Sequence, residues 1–156
     1  MRTAIAIGVL GLALVSRGAA AQTPTERERI LGDFHRNVTV YTQRYECLDL
    51  PESLDAATPA PTIFTLPVAV VFRQLIANAI AGPAGAAVMG EAGATHHAVV
   101  LQPFPATELK DFPHVLTGVL PALPVPLEYR FIDRDLVIRD VDAEVIVAVL
   151  RDASGR

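Results

Sequence analysis

The sequence predicts a small single-domain α+β protein with two longer helices, a C-terminal β-hairpin and a closing helix. Three observations predict it. Apolar residues recur at helical spacing over residues 25–47 and 66–81. Two short runs rich in β-branched and aromatic residues, 128–132 and 136–139, flank a polar turn at 133–135. The chain has 156 residues, enough for one domain and too few for two ordinary ones.

Residues 1–21 read as a signal peptide. Arg2 supplies a positive start, residues 5–15 form an apolar run, and Ala19 and Ala21 occupy the small-residue positions of a cleavage site before Gln22. The run is short of the roughly 20 apolar residues that span a bilayer. No cysteine follows the small residues, so a lipid anchor would lack its acceptor thiol. The expected destination is the periplasm or the exterior of a bacterial cell, as a secreted protein without a stable membrane span after cleavage. Residues 22–156 then form the domain.

Cleavage takes Arg2 and Arg17 from thirteen Lys and Arg, which leaves eleven against seventeen Asp and Glu. Lys110 is the only lysine. An acidic chain without a basic stripe does not neutralise phosphates, so nucleic acid is excluded as a partner class. Cys47 is the only cysteine, so no internal disulfide forms and stability must come from a hydrophobic core.

The first helix is expected over 25–47. Glu26 and Glu28 suit its N-terminus, and Phe34, Val38, Tyr41, Tyr45 and Leu48 fall on one face at steps of four and three. Residues 50–61 carry Pro51, Pro59 and Pro61 and read as a loop; flexible connections are expected near 51–62 and 82–95. Thr65 is a good N-cap for a second helix over 66–81. Pro67 is allowed in its first turn, and Val68, Val71, Phe72, Leu75, Ile76 and Ala79 make its apolar face. Gly82-Pro83 ends it.

Residues 96–101 suggest a short strand, closed by Pro103 and Pro105. A short helix or helical turn is expected over 111–120. Pro121, Pro124 and Pro126 follow as an extended connection to the hairpin. In the hairpin, Tyr129 and Phe131 alternate with Glu128 and Arg130, giving one buried and one wet face. The turn lacks glycine, but Asp133 tolerates a positive φ. Over 141–150, Asp140 or Asp142 at the start and Arg151 at the end favour a helix, while Val145, Ile146, Val147 and Val149 are also compatible with a third strand.

Chemistry-bearing motifs are sparse. His96 and His97 are the most tempting pair, with Glu91 and His114 as conceivable companions. Adjacent residues on a strand point to opposite faces, and the i, i+4 spacing of a helical zinc pair is missing. Asp133, Asp135, Asp140, Asp142 and Glu144 form an acidic hairpin. They lack the glycine and terminal glutamate of a calcium loop, and their interleaving with Arg130, Arg134 and Arg139 points to ion pairing, a turn and a cap. No Ser sits in a nucleophile elbow, and no phosphate loop or dinucleotide fingerprint is present. No cofactor or metal is expected. The function expected is non-catalytic binding or scaffolding in the cell envelope, with a protein as the conceivable partner. The alternative is a small hydrolase or metal-dependent enzyme using His96, His97 or the acidic hairpin.

Ile63, Phe64 and Thr65 open a helix that carries Phe72-Arg73. Leu120, Pro121, Leu123 and Pro124 lead into Tyr129-Arg130, and the hairpin arm 134–140 follows. In this combination the chain resembles a group of small exported bacterial proteins of unknown function, and the resemblance covers most of the mature chain. It implies shared architecture and export and no particular activity. The chain departs from the group at Pro67, one place later than the usual Thr-Pro; at Asp133, in place of a turn glycine; and at Asp142 and Ala148, where His and Asp are frequent.

Overall fold

Alternation of side chains decides the sheet, and helical spacing decides what lies on it. A computed structural model describes residues 24–45, 62–81, 98–105 and 111–154. These residues form a single α+β domain with α1 (Pro24–Tyr45), α2 (Leu66–Ile80), a one-turn α3 (His114–Thr117), and strands β1 (Leu127–Ile132), β2 (Asp135–Asp140) and β3 (Val145–Leu150). The strands make an antiparallel sheet in the order β1-β2-β3.

The α1 stripe is the expected one extended by one turn: Ile30, Phe34, Val38 and Tyr41 are all buried. Leu48 and Cys47 lie outside the described residues, as do the connections expected at 51–61 and 82–95 and the signal segment. On the outer side of α1, Asp33 pairs with Arg29 and Arg36 one turn away on either side. Thr65 stands at the N-cap of α2 with extended backbone and no side-chain cap bond, and its carbonyl accepts the Ala69 N–H at 2.8 Å. Pro67 lies in the first turn, where no N–H is required of it. Val68, Val71, Phe72 and Ile76 are buried, and Phe34, Phe64 and Phe72 form an aromatic knot with the Phe34 and Phe72 centroids 4.8 Å apart. Each fully buried ring contributes about 1.5–3 kcal/mol by leaving water.

The helices cover one face of the sheet. Tyr129 and Phe131 of β1, Leu136 and Ile138 of β2, and Ala148 and Leu150 of β3 point to that side. Phe112 stacks on Phe131 and Tyr129, with centroids 5.8 Å and 5.9 Å away. The opposite face carries Ile132, Val137 and Ile146, packed under Ala98 and Phe104. The second face, expected to be wet, is therefore partly covered: Ala98 and Phe104 pack on Ile132, Val137 and Ile146, and Glu128 and Arg130 are half-buried.

That segment also corrects an expectation. Among its described residues the strand expected over 96–101 does not form. Val99 and Gln102 close a turn, Leu101 takes a positive φ of 67°, and pairing begins only at Pro103, opposite Val145. Leu101 and Phe104 donate to the Ile146 and Glu144 carbonyls, and Ile146 donates to Gln102, so the segment lies along the outer edge of β3.

The larger correction is at the C-terminus. Residues 145–150 are the third strand and not a closing helix. The signals that favoured a helix are present but serve a turn. Asp140 Oδ1 accepts the N–H groups of Asp142 and Ala143, each at 3.0 Å, just as a helix N-cap would. Glu144 then takes a positive φ of 56°, which ends the turn and sends the β-branched run back along β2. Register shifts between Ile138 and Arg139, leaving Val147 as the extra residue of a bulge, and Ile146 is turned to the second face.

Candidate functional site

The acidic residues of the hairpin are positioned by its two turns. Asp133 opens the β1–β2 turn with a φ of 53°, the positive value its side chain tolerates better than most. Asp135, at the start of β2, accepts the Asp152 N–H at 2.9 Å through Oδ1 and holds the Arg151 guanidinium through Oδ2. Arg134 meets Asp152 at 2.6 Å, and its carbonyl accepts the Ala153 N–H at 2.9 Å. Arg73 of α2 donates to the Arg151 carbonyl at 2.8 Å, and Arg151 reaches the Ala98 carbonyl. Residues 151–154 are thus folded back over the β1–β2 turn and tied to it.

At the other turn Asp140 is 5% exposed and fully engaged. Its Oδ1 takes the two turn N–H groups, and its Oδ2 accepts the Tyr41 hydroxyl at 3.3 Å. The acidic run is therefore not one cluster. Asp135 and Asp140 lie at opposite ends of β2 and serve opposite ends of the sheet, while Asp133, Asp142 and Glu144 are exposed. Among the described residues, no group of three or more His, Cys, Asp or Glu side chains could hold a metal ion. His96, His97, Glu91 and Cys47 lie outside the described residues; His114 is exposed on α3.

The arginines find other partners than the acidic run suggested. Arg139 on β2 faces Glu128 on β1, with a nitrogen–oxygen distance of 3.3 Å. Arg130, two residues along β1 and on the same face, donates to both Glu128 carboxylate oxygens, at 2.9 Å and 2.7 Å. The Arg139 guanidinium also lies over the Phe104 ring, 5.2 Å from its centroid. One carboxylate therefore serves two guanidiniums on the second face. The i, i+2 spacing of Glu128 and Arg130 was readable as a shared face; Arg139 and Phe104 join them only through register and a distant segment.

Among the described residues, Tyr129 is the one group with a large displacement of its ionisation. Burial pushes its phenol far above the ordinary value, and its hydroxyl donates to the Pro121 carbonyl at 2.9 Å. It orients the connection into β1 and, among the described residues, faces no other titratable side chain in hydrogen-bonding contact.

The edge of β1 completes the geometry. A two-residue turn makes Ile132 and Asp135 a hydrogen-bonded pair, and the parity carries to Arg130–Val137 and Glu128–Arg139. The main-chain groups of Leu127, Tyr129 and Phe131 then point away from β2. Leu127 confirms the parity by donating to Pro124 at 2.9 Å, across a turn that holds the cis Val125–Pro126 peptide. Among the described residues no strand pairs with this edge.

Compared with known proteins, the chain matches no family model, no curated protein and no solved structure. Among the described residues, no helix is long and apolar enough to cross a membrane.

Proposed function

We propose that the chain is a non-catalytic exported protein that binds or scaffolds in the cell envelope, periplasmic or secreted. Export is supported by Arg2, the apolar run 5–15 and the Ala19-x-Ala21 site, and by the resemblance to small exported bacterial proteins. One observation carries the non-catalytic half. The two carboxylates best placed to work in the acidic hairpin, Asp135 and Asp140, are both turned onto the protein's own N–H, guanidinium and hydroxyl groups. A general base or metal ligand needs an oxygen aimed at substrate or ion; these oxygens are aimed at the fold.

The test is a panel of activated esters, phosphates and glycosides, run on purified protein with added divalent cations and again after chelation. No turnover is expected in either state, and the melting temperature should be the same with and without chelator. Turnover that disappears in Asp135→Asn, or in the double variant His96→Ala/His97→Ala, with the melting temperature retained, would overturn the reading. N-terminal sequencing of the envelope form should begin at Gln22; a protein that retains Met1 would remove the export half.

A further inference from the structure

The two edges of the sheet are treated differently. The β3 edge is occupied by Leu101–Phe104, through main-chain bonds at Glu144 and Ile146. Among the described residues the β1 edge has no such cover, and Tyr129 and Phe131 present N–H and carbonyl groups outward. Val125, at 90% the most exposed large apolar side chain among the described residues, leads into this strand. An open edge is a template for another strand.

We propose that the β1 edge pairs with β1 of a second copy of this chain, antiparallel about a two-fold axis at Tyr129. The inference rests on the reading of the protein as a binding or scaffolding module and names its partner. Parity and charge fix the register. Only Leu127, Tyr129 and Phe131 point their main-chain groups outward, so these residues must face one another across the axis. Setting Tyr129 opposite Tyr129 of the other copy places Leu127 opposite Phe131, and Glu128 opposite Arg130, twice. A slip of two residues in either direction sets Glu128 against Glu128 or Arg130 against Arg130. Like charges directly opposite are unfavourable and opposite charges are favourable, so one register is selected.

The pairing closes on itself, as a two-fold interface must. It makes about four main-chain hydrogen bonds, because Leu127 N–H is already held by Pro124. On the second face it joins two arrays of Glu128, Arg130 and Arg139 into one row. Each Glu128 then lies between its own arginines and the Arg130 of the other copy.

The test combines sedimentation equilibrium with paired cysteines in a Cys47→Ala background. The purified protein is expected to sediment at twice the chain mass. Glu128 and Arg130 would form a non-hydrogen-bonded pair with Cα atoms about 4.5 Å apart, close enough for a disulfide. A mixture of Glu128→Cys and Arg130→Cys chains should therefore cross-link under mild oxidation. Either variant alone should not, since like positions lie about 8 Å apart, beyond disulfide reach. Arg130→Glu should weaken the dimer about tenfold, because it sets two glutamates directly opposite. If Arg130→Glu fails to fold, the mixed cysteines still decide. A monomer up to about 0.1 mM overturns the proposal, as does a dimer that cross-links in the single variants or not in the mixture. A monomer leaves the non-catalytic binding reading standing, because the substrate panel alone decides that.

Discussion

The Tyr41 hydroxyl donates to Asp140 Oδ2 at 3.3 Å and so joins α1 to the end of β2 across 99 residues of sequence. The same carboxylate caps the β2–β3 turn, which makes it the point where helix and sheet are held in one orientation. Replacing Asp140 with Ala leaves two turn N–H groups short of an acceptor and removes the bond from Tyr41, and should cost about 2–4 kcal/mol. Tyr41→Phe should cost about 1 kcal/mol. Urea melts of both variants check the order; equal losses would mean that Asp140 does not cap the turn.

Glu144 distinguishes a turn from a helix by the sign of one substitution. With φ at 56°, its left-handed backbone is strained for an L-residue, and Glu144→Gly should stabilise the protein by up to about 1 kcal/mol. Were 141–150 helical, the same change would destabilise by about 1 kcal/mol. Thermal melts of the variant decide between the two.

The sheet should show a graded response across its two faces. Leu136→Ala, at a fully buried site, should cost about 2–5 kcal/mol. Phe131 is half-buried, so Phe131→Ala should cost less than the full cavity penalty, about 1.5–3 kcal/mol. Glu128→Ala should cost about 1 kcal/mol, because Arg139, only 12% exposed, loses its carboxylate. Exposed Gln74→Ala on α2 should stay within about 0.5 kcal/mol. A Glu128 variant as harmless as the Gln74 one would mean that the second face is open to water.

Alkaline pH should expose the burial of Tyr129. Its folded-state pKa is raised, so the native protein keeps a proton that the unfolded chain releases near pH 10. The stability from this group is fully present below pH ~10 and is lost as pH rises above it toward the folded value. The melting temperature of the parent protein should fall more steeply above pH ~10 than that of Tyr129→Phe. Parallel falls would show that the phenol is solvated in the native state.

What the sequence made legible was local. Steps of four and three marked the α1 stripe, Pro67 sat where a first turn admits it, and alternation assigned Tyr129 and Phe131 to one face of β1. The error at 141–150 has a definite cause. An aspartate that caps a turn and one that caps a helix make the same bonds to the second and third N–H groups, and only the φ of Glu144 separates them. The cover over the second face was not legible for another reason. The segment 98–105 has no periodicity of its own, and Phe104 gains its role from Arg139 and Ile146, both far along the chain. The polar constellation suffered likewise: Asp135 is matched by Arg151 and Asp152, beyond the run in which it was read.

The tie between Asp135 and residues 151–152 bears on the order of assembly. Helix α1 leaves the ribosome before any strand exists, with Phe34, Val38 and Tyr41 on one side and nothing yet to receive them. The β1–β2 hairpin can close on its own residues, yet its turn is clasped only when Arg151 and Asp152 arrive. Contacts between residues far apart in the chain, such as Tyr41–Asp140 and Asp135–Asp152, form late, which slows folding and lengthens the exposure of apolar surface.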